Sequence, residues 1–139
     1  MLKQHSETLC IDTRRGLTSI TEDVRRALGR SGVREGLLTL FIRHTSASLL
    51  IQENADPAVR QDLERFLSRI VPDGDPIFTH TAEGPDDMPS HVKAALTRTS
   101  ESIPVHAGEL VLGTWQGLYV WEHRDGHHRR EVFAHVIGE

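Results

Sequence analysis

Cysteine is almost missing from this chain. Cys10 stands alone, so no disulfide can close within the molecule, and the usage fits a reducing compartment. Lysine is nearly as scarce: only Lys3 and Lys93 occur, and every other basic side chain is arginine. Positive charge is not in excess either. Sixteen Lys and Arg face 20 Asp and Glu, for a net charge of -4, so charge gives no reason to expect nucleic acid or an anionic membrane as partner. Long apolar runs are also lacking. The opening MLKQHSETLC has no signal-peptide core, and no stretch is long enough to cross a bilayer. These absences together predict a cytoplasmic protein.

What is present suits one globular domain. The 139 residues, 37% hydrophobic and 26% charged, are enough to bury a substantial core. No repeat or composition break divides the chain, so residues 1–139 are read as a single domain. Glu7–Asp12 reads as a strand. Ser19 and Glu22 have capping-box spacing, and Ile20, Val24, Ala27 and Leu28 follow with helical period until Gly32. LLTLFIR (37–43) is apolar on both faces, which predicts a buried central strand. SLLIQE (48–53) predicts another. Asp56-Pro57 starts a helix whose apolar face is Val59, Leu63, Phe66, Leu67 and Ile70. PDGDP (72–76) is a turn. Met88, Val92, Ala95 and Leu96 predict a third helix from about Met88-Pro89. LVLGTWQ and LYVWEHR then read as strands separated or kinked at Gly117. Asp125-Gly126 is a hairpin signal, with REVFAHV as the return strand. Helices interspersed among antiparallel strands give an α+β class.

Three stretches carry candidate chemistry. THTAEGPDDMPSH (79–91) holds His80 and His91 with Glu83, Asp86 and Asp87. Imidazoles mixed with carboxylates suit a divalent metal; the bland alternative is that Asp86 or Asp87 caps a helix and His80 is a loop residue. RHTSAS (43–48) places His44 after a buried strand, followed by Thr45, Ser46 and Ser48. These hydroxyls either hold phosphate oxygens or bond their own turn. In GTWQGLYVWEHR (113–124), Gln116 and Glu122 share a face if the strand is unbroken. Trp115 and Trp121 are read first as packing residues.

HTSAS, IQENADPAVRQDLE, HTAEGPDDMPSHVKAAL and IPVHAGELVLGTWQGLYVWEHR occur in this order, ahead of a closing basic segment. In that combination the chain closely resembles the YjbQ-like proteins, also labelled secondary thiamine-phosphate synthase, from about Glu7 to Glu139. The resemblance implies a compact α+β fold, an antiparallel β-sandwich with helices, assembled as a homotrimer. It implies an activity joining a pyrimidine methyl pyrophosphate to a thiazole phosphate, with release of pyrophosphate. It also implies that His44, His80 and His91 are the metal ligands, a zinc-like set with an open fourth position. Magnesium, the usual ion for pyrophosphate, prefers oxygens, which Asp86, Asp87, Glu53 and Glu122 would supply. Thr45, Ser46 and Gln116 are the expected contacts to a small phosphorylated substrate. Two further readings stay open. One is a metal-dependent phosphate-ester hydrolase with Asp87 or Glu122 as catalytic base; the other is a non-catalytic metal- or ligand-binding trimer. Glu122 also has a structural rival role. A two-residue hairpin at Asp125-Gly126 would set it opposite Arg129 as a surface ion pair.

Overall fold

Eight strands and three helices follow one another through residues 1–139 of the computed structural model. Strands β1 (Lys3–Thr13), β3 (Gly36–Ile42), β5 (Ser100–His106), β6 (Glu109–Leu110) and β8 (His128–Gly138) form one sheet, in the order β1-β8-β3-β5-β6. Strands β2 (Gly16–Ser19), β4 (Ala47–Glu53) and β7 (Gln116–Glu122) form a second, in the order β2-β7-β4. All pairings are antiparallel. The inner faces of the two sheets meet in a core that includes Leu9, Ile11, Leu38, Leu40, Leu49, Leu118, Val120, Val132 and Val136. Helix α1 (Thr21–Ser31) adds Val24, Ala27 and Leu28 to that core. Helices α2 (Pro57–Ile70) and α3 (Asp87–Leu96) lie against the opposite face of the three-stranded sheet. There Trp121 packs with Leu63, Leu67 and Val92.

The α+β class is as the residue pattern predicts and the antiparallel sandwich as the family resemblance implies; several local expectations are not met. The capping box is unmade: α1 has no side-chain cap. Ser19 is held in β2 opposite Tyr119. Thr21 anchors the helix instead, its Oγ1 accepting the Leu118 N–H at 2.9 Å. LVLGTWQ is not a continuous strand: residues 111–113 are irregular and 114–115 turn, between β6 and β7. Gly117 makes no bulge; it pairs with Gln52 in the ladder. A Cβ there would lie 3.1 Å from Asn54 Cβ and 3.2 Å from the Tyr119 ring, so close packing explains the glycine. β7 and β8 are not a hairpin. Asp125-Gly126 turns the chain from the small sheet into the large one, where β8 pairs with β1 and β3. Gly126, at φ 82°, takes the left-handed conformation the corner requires.

Burial also departs from the pattern at particular faces. β3 lies centrally in its sheet, yet only Leu38, Leu40 and Ile42 are buried, while Leu37 and Phe41 remain 40% and 50% exposed. On α2, Leu67 is buried but Phe66 and Ile70 face outward. On α3 the buried side chains are Asp87, Pro89, Ser90, Lys93 and Ala94, not the predicted apolar row ending at Leu96.

Candidate metal centre

Helix α3 opens with Asp87, whose side chain is almost wholly buried. Asp87 Oδ2 lies 2.7 Å from His80 Nε2 and 3.1 Å from His91 Nε2. Helical spacing of four puts Asp87 and His91 on one face, and the preceding loop brings His80 over them. One donor atom from each of the three falls within 4.8 Å of the others. Arg124, just beyond β7, braces the cluster. Its Nη1 is 3.4 Å from Asp87 Oδ1, its Nε donates to Asp86 Oδ2 at 3.3 Å, and its Nη2 donates to the Glu83 carbonyl at 2.9 Å. The Asp125 N–H also donates to Asp86 Oδ2, at 3.0 Å, so the corner after β7 is tied to the start of α3. Burial pushes the Asp87 carboxyl up. The hydrogen bonds with His80 and Glu83 and the Arg124 charge more than offset this, and it lies below the usual carboxylate range.

The His91 ring is anchored at its far nitrogen. Its Nδ1 is 2.9 Å from the Thr45 carbonyl oxygen. A carbonyl only accepts, so Nδ1 carries a proton and donates it. In the neutral ring Nε2 then presents a lone pair, and that lone pair points at a carboxylate oxygen. Two lone pairs facing each other at 3.1 Å need a cation between them, a proton or a metal ion. A backbone carbonyl fixing the distal nitrogen is also how metal-binding imidazoles are commonly oriented. Two imidazoles and one carboxylate with open positions is a donor set that first-row divalent ions accept.

The expected ligand His44 stands apart from this group. Its Nε2 accepts the Glu131 N–H at 2.7 Å, and Arg130 Nη1 lies 3.4 Å from its Nδ1. Burial and the Arg130 charge push this ring's pKa down and keep it neutral. Within the chain, His80 and His91 cluster with Asp87, and His44 lies outside that group.

The other expected site residues separate for reasons of topology. Thr45 contributes its carbonyl to His91, and Ser46 its carbonyl to the His123 N–H and to Arg130; Ser46 is itself buried. Gln116 and Glu53 pair across the far end of the β4–β7 ladder, while Ala47 and Glu122 pair at the near end. Six residue steps of about 3.3 Å put these ends roughly 20 Å apart. Gln116 Oε1 is already used by the Gly113 N–H, and the Glu53 carboxylate by the Ala55 N–H.

Glu122 is held in a buried ion pair. It faces the gap between the sheets, fully buried, and accepts from Arg130 Nε at 2.6 Å, Thr13 Oγ1 at 2.6 Å and the Arg124 N–H at 3.1 Å. Burial pushes its pKa up, and these hydrogen bonds pull it down further, for a net lowering. It is thus a poor proton acceptor. The predicted partner Arg129 is instead exposed, 3.9 Å from Asp12. Sequence reasoning missed Arg124, although EHR at the end of an apolar strand is a signal for a charge placed at a strand tip. It also missed Lys93 and His123, both buried beneath the helices. Lys93 donates to Ser68 at 3.2 Å. His123 bonds Ser48 through Nε2, while burial, with the Lys93 charge, pushes its pKa to about 3.

Residues 6–139 match the family model described as UPF0047 protein YjbQ-like. The chain belongs to the YjbQ-like UPF0047 family. A UPF0047 relative from Synechocystis is 51% identical over 138 residues, spanning 99% of this chain and 94% of that protein. The YjbQ protein of Escherichia coli O157:H7 is 43% identical, over 97% of this chain and 99% of its own. Among solved structures, a hypothetical protein of Aeropyrum pernix K1 superposes with a TM-score of 0.88 at 28% identity, covering 97% of this chain and 99% of that one. The YjbQ-like family thus accounts for the sandwich and for the order of its motifs. No helix of the chain is long and apolar enough to cross a membrane.

Proposed function

We propose that this YjbQ-like protein binds a divalent transition metal through His80, Asp87 and His91, and uses that site on a small phosphorylated substrate. The observation that carries the reading is the convergence of His80 Nε2 and His91 Nε2 on Asp87 Oδ2, with the other His91 nitrogen committed to the Thr45 carbonyl. Two imidazole donors favour a zinc-like ion over magnesium. A bound ion of this kind supplies Lewis acidity toward phosphoryl oxygens. The chain's own residues do the rest. Asp86 and Asp87 hold the Arg124 guanidinium beside the cluster, where its positive charge favours phosphoryl oxygens at the proposed ion. The Thr45 carbonyl fixes the His91 ring, and the exposed Glu83 carboxylate stands 3.8 Å from His80.

The finer reading is the synthase that the family resemblance implies: pyrophosphate leaves a pyrimidine methyl carbon as a thiazole phosphate is joined to it. Supporting it is a cationic group beside the proposed ion, where departing oxygens gather charge. Metal-loaded protein is expected to release pyrophosphate only when both substrates are present, and the His91→Ala variant to lose that turnover. Release of free phosphate from a simple ester, with no acceptor, would instead select the hydrolase reading, with Glu83 as the nearest base.

The homotrimer remains part of this proposal. Its support is the outer face of the five-stranded sheet, where Phe41 and Phe133 are register partners 50% and 37% exposed, beside Leu37. Such a face gains by being covered. Sedimentation equilibrium at micromolar concentration is expected to return three times 15.6 kDa; a monomer mass would remove the assembly.

A further inference from the structure

Helix α2 presents Pro57, Arg60, Gln61, Glu64 and Arg65 toward β2 at spacings of 3, 4, 7 and 8 residues from Pro57. On a helix packed against its own domain, that spacing ordinarily carries an apolar stripe. Here it lines a cleft of about 390 Å³, closed on the other side by Arg15, Gly16 and Leu17. Three arginines and one glutamate line this space, in a chain whose net charge is -4. The carboxylate is already used: Glu64 accepts from Trp121 Nε1 at 2.8 Å, Ser68 Oγ at 3.3 Å and Arg15 Nε at 3.4 Å. Arg15 is likewise committed, to Asp73 and Asp125.

Arg60 and Arg65 are not. Arg60 is half-buried and held in place over the Tyr119 ring, 5.6 Å from its centroid. Its Nη1 meets only the neutral Tyr119 hydroxyl at 3.3 Å and the Glu53 carbonyl at 3.5 Å. Arg65 has no ion pair or hydrogen bond within the chain. A fixed guanidinium and a free one, opening on the same concavity with no counter-charge left, form an oxyanion receptor. We infer that this cleft binds the phosphoryl group of a small molecule, through Arg60 and Arg65. None of its lining residues belongs to the His80–Asp87–His91 group, so the inference stands independently of the proposed metal site.

The test is a titration of metal-free protein with inorganic phosphate at constant ionic strength, followed by amide NMR shifts. Saturable shifts are expected at Gly16, Leu17, Gln61 and Arg65. Arg65→Gln removes a side chain with no internal partner and should fold normally; phosphate should bind it about tenfold more weakly, the worth of a charged hydrogen bond. Asp87→Asn should bind phosphate as the parent does, which separates this cleft from the metal centre. The inference is overturned if the shifts are absent or map elsewhere, or if Arg65→Gln binds unchanged. It is also overturned if the remote Arg129→Gln loses as much, or if succinate gives the same shifts at equal concentration.

Discussion

Glu122→Gln is expected to lower stability by about 3–5 kcal/mol, the cost of leaving a buried charge without its partner. In a chain of this size that is a fall in Tm of roughly 10 °C or more. The carboxylate sits between the sheets with Arg130 beside it, and Arg130 has no other carboxylate within reach. The amide cannot accept from Arg130, Thr13 and the Arg124 N–H together while donating to none of them. A control distinguishes charge from shape. Replacing both partners by methionine should recover most of the loss, because a well-packed apolar pair avoids the desolvation cost. Thermal unfolding of the single and double variants decides it. A Glu122→Gln protein as stable as the parent, with turnover cut by about two orders of magnitude, would instead restore the catalytic role considered from sequence.

The second large effect lies at α3. Asp87→Asn and His91→Ala are each expected to weaken divalent metal binding by about 100-fold or more, since even the residues supporting a ligand are commonly worth 10–100-fold. His44→Ala should leave the affinity within a few-fold of the parent, because the His44 ring is engaged by Glu131 and Arg130 rather than by the cluster. Competition against a chromophoric zinc chelator reads all three. Equal losses at His44 and His91 would return the original ligand set, with His44 reaching the ion by a route this chain does not show.

The fold class was legible from local pattern: a run apolar on both faces marked β3, the Asp125-Gly126 signal set off β8, and helical spacing marked α1 and α2. The Asp125-Gly126 signal misled because turn chemistry reports that the chain reverses, not which sheet receives the next strand. That one ambiguity misplaced the structural partner of Glu122, which is Arg130 between the sheets rather than Arg129 across a hairpin. The α3 face misled for another reason. Its buried side includes Ser90 and Lys93, and a lysine is not placed inside on composition alone; only the Ser68 hydroxyl on α2 and the neighbouring carboxylates make that burial tolerable. At the site, His80, Asp87 and His91 were each visible as chemistry within one segment. Asp87 was already a candidate oxygen ligand; that it would touch both histidines at once was not visible. It depends on the loop folding back over the first turn of α3, and on a carbonyl 46 residues away fixing the His91 ring.

The most direct measurement is anomalous X-ray scattering at the zinc edge, from crystals grown with one equivalent of zinc. The account predicts a single strong peak per chain, with His80 Nε2, His91 Nε2 and an Asp87 oxygen about 2.0–2.2 Å away. A peak on His44, or no peak among these three side chains at full zinc occupancy, would contradict it.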